Sequence, residues 1–178
     1  MRKFLLLLGS FAVFPGILEC CAAGTEDKIN LMLHDTRTES FCFYHNADKK
    51  EIKHGTHVKM SNGRNGFFVS AVESYCHGVP VGIWVIQDLI SRTKIYFKEG
   101  SIYQVIYYDY WGNEVAACSV KDGKPYNGSV WSLSWGLKNG LYSVLIHYHE
   151  GKRIAEEPFE MENMDKLLLK LDEIQKMR

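Results

Sequence analysis

Apolar and polar positions alternate with a period of two along most of this chain. The clearest run is 129–135. Ser129, Trp131, Leu133 and Trp135 fall on one side, and Val130, Ser132 and Ser134 on the other. Such alternation predicts a half-buried strand, and the large apolar indoles direct the first side inward. The same signature predicts strands at 41–44, 51–60, 67–72, 82–87, 94–98, 102–110, 114–121 and 141–149. In the 102–110 run both faces are apolar enough to call for cover on both sides. Ile29–Leu33 reads as a short edge strand, followed by a polar loop at 35–40. After Pro158 the period lengthens. Met161, Met164, Leu168, Leu171 and Ile174 recur at three- and four-residue spacing, which predicts an amphipathic helix over 162–177 that covers a sheet edge or an apolar face. The fold class is therefore mainly β: an antiparallel sheet of consecutive β-hairpins with a C-terminal amphipathic α-helix.

Turn chemistry punctuates the strands. In Asp122-Gly123-Lys124-Pro125, Asp122 can bond its own downstream backbone and Gly123 tolerates positive φ. Pro125 fixes its own φ and pushes Lys124 towards an extended shape. Gly78-Val79-Pro80-Val81-Gly82-Ile83-Trp84 repeats this plan, with Pro80 and Pro125 45 residues apart. Looser copies stand at Lys53–Val58 and Lys138–Leu145, and Asn62-Gly63 and Asn65-Gly66 are further tight-turn signals. The spacing predicts a degenerate repeat of about two dozen residues, three to five copies in all, each a hairpin.

The "Tyr-x-x-Gly-Lys" turn at 148–152, the "Asp-Gly-Lys-Pro-Tyr-x-Gly" turn at 122–128 and the "Gly-x-Trp" strand start at 82–84 carry a likeness. Over residues 42–157 the chain resembles the bacterial variant of the MORN repeat. Trp111 before Gly112 departs from the pattern. The resemblance implies an exported or lipid-anchored scaffold of side-by-side hairpins, in a family some of whose members are labelled antitoxin-like; it implies no activity.

Residues 1–23 have the form of a secretory signal: a basic head at Arg2-Lys3, then an apolar stretch from Phe4 to Phe14. That stretch is too short for a membrane-spanning helix. Two cleavage readings stand side by side. Cys21-Ala22-Ala23 suits an ordinary signal peptidase. Ile17-Leu18-Glu19-Cys20 has the form of a lipoprotein box, with Cys20 lipidated, although Glu19 stands where a small residue is usual. Residues 24–40 then form a tether and edge segment, 41–158 the hairpin domain and 159–178 the helix. The expected location is the periplasm or a membrane-anchored lipoprotein, or else outside the cell.

Composition narrows the function. Twenty-one basic residues balance 21 acidic ones, so the chain lacks the basic footprint of a nucleic-acid binder. No nucleophile elbow, zinc-protease helix or phosphate-cradling loop is present, so neither an enzyme nor a cofactor is expected. Cys42, Cys76 and Cys118 show no Cys-x-x-Cys spacing, and no metal site is expected. His147 and His149 share a strand face and come nearest to a ligand pair, but they read as exposed strand histidines. Cys76 and His77 are neighbours, so on a strand they face opposite ways. The candidate binding residues are aromatic: Tyr108, Tyr110, Trp111 and Trp131. The partner expected is a protein or envelope component, with a sugar or small ligand stacked on the aromatics as the alternative, or an immunity-like role.

Overall fold

A computed structural model describes residues 30–63, 66–88, 90–136 and 140–160. The signal segment expected at 1–23, with Cys20, and the C-terminal helix expected over 162–177 lie outside them.

Twelve strands form one open antiparallel sheet. They are β1 (Met32–Asp35), β2 (Glu39–His45), β3 (Glu51–Gly63), β4 (Gly66–Cys76), β5 (Val79–Pro80), β6 (Gly82–Gln87), β7 (Ser91–Lys98), β8 (Ser101–Asp109), β9 (Glu114–Lys121), β10 (Lys124–Gly136), β11 (Gly140–His149) and β12 (Lys152–Pro158). Apart from the short β5, which pairs with β4, each strand lies beside its neighbours in sequence. The alternation at 102–110 called for cover on both sides. Among the described residues every element belongs to this one sheet, and the cover comes from side chains of the sheet together with Ile90 and Phe159, which flank its strands.

Four of the hairpins close in the same way. His77-Gly78, Glu99-Gly100, Asp122-Gly123 and Glu150-Gly151 all have positive φ at both central residues. This is the type I′ turn, whose twist matches that of the flanking strands. Asn62-Gly63 and Gly66 behave differently from their turn signals. Asn62 pairs with Phe67 and Gly63 with Gly66, so Asn62, Gly63 and Gly66 are closing rungs of a hairpin, not its tip; Asn65 lies outside the described residues.

Two stretches of the sheet share a backbone plan. Lys49 and Asp122, Gly55 and Gly128, His77 and Glu150, and Gly78 and Gly151 all have positive φ, and each pair is 73 residues apart. The hydrogen bonds follow the same offset. The Gly78 N–H donates to the Lys53 carbonyl at 2.8 Å, and the Gly151 N–H to the Tyr126 carbonyl at 2.8 Å. His57 pairs with Glu73 as Val130 pairs with Ile146. A repeat-like hairpin architecture is thus present, but this backbone plan recurs at 73 residues and matches other residues than the Pro80 and Pro125 of the sequence reading: a kinked strand, a return strand, and a turn tied back to the kink.

Packing is less uniform than the backbone. Register places Phe41, His57 and Glu73 in one row across β2, β3 and β4, with Ala71 on the same face. From Ala71 that face runs through Ile86, Thr93 and Tyr107 to Ala116. Trp131 packs against Ala116, with Tyr107, Leu145 and Phe159 around them. Trp84 lies on the same face as Ala71, its ring 5.1 Å from Tyr75 and 4.5 Å from Phe97, and its indole N–H donates to the Ser74 carbonyl.

The two edges differ. β12 carries Lys152, Arg153, Glu156, Glu157 and Pro158, all exposed, and charges and proline discourage pairing with another chain. Leu33 in β1 and Leu31 just before it are exposed apolar residues, whereas in β12 the exposed Ile154 stands among charges.

Candidate functional site

The loop between β8 and β9 is held by Asp109, which is buried. Its backbone N–H donates to the Asn113 carbonyl, and its carboxylate accepts both the Asn113 backbone N–H, at 2.8 Å, and the Asn113 side-chain amide, at 2.9 Å. Gly112, with φ of 90°, closes the turn back onto the Asp109 carbonyl. A loop pinned in this way presents what lies at its tip with little freedom. The tip is Tyr110 and Trp111, 49% and 45% exposed, with rings edge to face at 5.5 Å.

The four aromatic candidates therefore separate. Tyr110 and Trp111 stand together in solvent. Tyr108 is half-buried on the face opposite Asp109, with the Lys94 ammonium 4.9 Å from its ring centre. Trp131 is 6% exposed and belongs to the core, where it holds β10 against β9. His147 accepts or donates at Nδ1 with Ser129 Oγ at 2.8 Å and meets Glu157 at Nε2 at 3.2 Å.

Two polar constellations lie outside the sites expected from the sequence. The first is the row across β2, β3 and β4. His57 is 1% exposed. Its Nε2 lies 3.0 Å from Glu39, and its Nδ1 3.1 Å from both Lys53 Nζ and Glu73. Lys59 and Tyr75 both donate to Glu73. Burial alone would raise the Glu73 pKa, but the hydrogen bonds from Lys59 and Tyr75, with the charges of Lys59 and His57, hold it below its ordinary value. Tyr75 is pushed well up, by burial first and then by its bond to the Glu73 carboxylate.

The second constellation sits at the turn after β4. Cys76 ends the strand and His77 has a φ of 50°, so the backbone no longer alternates there. The expectation that Cys76 and His77 point apart is overturned for this reason. Ligand atoms of His54, Cys76 and His77 all lie within 4.8 Å of one another. The His77 ring is 4.8 Å from that of His54, and its Nδ1 is 3.0 Å from the Tyr44 hydroxyl. Burial, then the neighbouring His77, lowers the His54 pKa. No disulfide joins Cys42, Cys76 and Cys118. A signal for this cluster did exist in the sequence. His77-Gly78 has the residue-Gly form of the Asp122-Gly123 turn, and a turn suspends strand alternation.

No family model, no curated protein and no solved structure matches the chain. Function therefore rests on the residues themselves.

Proposed function

We propose that this protein is a non-catalytic, exported repeat scaffold that presents its β-sheet to a protein or envelope component. The hairpin plan repeated at 73 residues supports it, as does the likeness to MORN repeats. The observation that carries it is the Tyr110–Trp111 pair, exposed on a loop locked by Asp109. Tyrosine and tryptophan dominate binding hot spots because they offer large contact area at small entropic cost. Pinning the loop beforehand removes part of the ordering cost of association. In this reading Tyr108 belongs to the strand that leads into the loop and Trp131 maintains the sheet. Delivery is by the signal at 1–23, with anchoring through a lipid on Cys20 as one of its two forms.

The test is capture from an envelope extract with the full mature chain. A Tyr110→Ala/Trp111→Ala double variant should fold like the parent by circular dichroism and lose the specific partner. Equal capture by both proteins would remove the reading. The same exposed rings favour one alternative, a sugar stacked on Trp111. Binding on a glycan array that disappears in the double variant would select that alternative.

A further inference from the structure

The strongest unassigned chemistry lies at the turn between β4 and β5, and the second copy of the backbone plan gives it a control. In that copy the Asn127 side-chain carbonyl accepts the Glu150 N–H at 2.7 Å. In the first copy His54 Nδ1 accepts the His77 N–H at 3.3 Å. Both bonds tie the turn to the kinked strand 23 residues earlier. An amide makes this bond short, and a histidine makes it long. The backbone duty therefore does not explain why a histidine stands at 54 or a second at 77.

We propose that His54, Cys76 and His77 form a binding site for a late first-row divalent metal ion, zinc(II) first. Two imidazoles and a thiolate are the donor set such ions prefer, and hard ions such as magnesium and calcium do not. The ligand atoms lie within 4.8 Å of one another. A tetrahedral zinc holds nitrogen and sulfur ligands roughly 3.3–3.6 Å apart, so side-chain rotations of about 1 Å close the site. Cys76 binds as thiolate and its proton leaves to solvent, with no change of oxidation state. His54 exchanges its long bond to the His77 N–H for the metal if Nδ1 is the ligand. His77 binds through Nε2 while its Nδ1–H donates to the Tyr44 hydroxyl, 3.0 Å away. A partner on the second ring nitrogen is what orients a ligating histidine, so Tyr44 is the positioning residue. The protein supplies three ligands and leaves a fourth position for water or an outside group. Bound there, the ion ties β3 to the β4–β5 turn.

The experiment is titration of the reduced, metal-stripped mature protein with zinc by calorimetry and with cobalt(II) by absorption. One equivalent should bind, and cobalt should give the near-ultraviolet sulfur-to-metal charge-transfer band. Cys76→Ser should abolish that band. His54→Gln and His77→Asn should each weaken binding tenfold or more; asparagine at 77 keeps the left-handed turn. Tyr44→Phe should weaken binding about tenfold with the band retained. Cys42→Ser should change nothing. The site is overturned if the parent protein binds no ion, or if cobalt binds without the charge-transfer band. It is equally overturned if the folded His54→Gln and His77→Asn variants bind as tightly as the parent.

Discussion

The corner at Gly55 and Gly78 and the corner at Gly128 and Gly151 share dihedral signs, turn type and two equivalent hydrogen bonds, yet almost none of their side chains agree. At equivalent positions His54 faces Asn127, Cys76 faces His149, and His77 faces Glu150. The difference extends into the packing. The first stretch buries the His57–Glu73 rung. The second buries Trp131, which pairs with Leu145, one residue further along. A one-residue step takes a side chain to the other face of its strand. A hairpin corner is thus set by backbone needs that several residues can meet. What the sheet buries beside it is a separate choice, charged in one stretch and aromatic in the other.

The largest effect should come from the aromatic choice. Trp131→Ala removes the side chain on which Ala116, Tyr107, Leu145 and Phe159 converge. Emptying such a site costs about 3–5 kcal/mol. Val58→Ala at the equivalent strand position should cost far less, because Val58 is only partly buried. Urea denaturation followed by circular dichroism measures both. Similar losses would mean that the two stretches pack alike after all.

The two kink glycines give the next contrast. Both have positive φ, but a Cβ on Gly128 would lie 2.3 Å from the Ala117 carbonyl oxygen, while one on Gly55 meets nothing within 4 Å. Gly55→Ala should cost about 1 kcal/mol of backbone strain. Gly128→Ala adds a clash with backbone that cannot rotate aside, and about 2–4 kcal/mol is expected. The same denaturation curves decide it, and equal costs would remove the claim that β9 and β10 approach more closely.

These contrasts also mark how far the sequence can be read. The period-two runs located most of the strands, because alternation is a local property and each strand pairs with its neighbour. Asp122-Gly123 and Glu150-Gly151 were legible as turns for the same reason. Two short-range rules failed. Strand alternation was carried across His77, where positive φ ends it, so Cys76 and His77 were separated when they meet. Alternation turns Trp131 inward, as it is in the structure; placing it with Trp111 among the binding residues sets residue type above that pattern, whereas one packs on Ala116 and the other tops a loop. The His57 row could not be read at all. It needs Glu39, His57 and Glu73 brought together from three strands, and the sequence does not display the register that does so.

The charged row should respond to acid where the aromatic cluster does not. Glu73 has a folded pKa below its ordinary value of 4.5. A lowered carboxyl pKa contributes stability that is complete above the ordinary value and is lost as pH falls through the folded one. Glu73→Gln keeps the shape and removes the charge. It should cost about 1–3 kcal/mol at neutral pH, where buried donors lose a charged acceptor. The cost should shrink as pH falls below 4.5. Parallel pH curves for parent and variant would show that the row does not stabilise through its charge.

The smallest effect sharpens the comparison most. His54→Asn places in the first corner the residue that the second corner uses. Asparagine can accept the His77 N–H as Asn127 accepts that of Glu150, at 2.7 Å instead of 3.3 Å. Stability without metal should therefore stay within about 0.5 kcal/mol of the parent, as for a partly exposed substitution that keeps its hydrogen bond. Added zinc, at a concentration near the parent's dissociation constant, should raise the melting temperature of the parent and move the variant far less, because an ion stabilises a fold only as tightly as the fold holds it. If the variant loses several degrees without metal, His54 carries backbone work that an amide cannot, and the two corners are less alike than their dihedral angles. If stability is unchanged and the zinc response shrinks, the histidine is spare to the fold and its use lies in the ligand it offers.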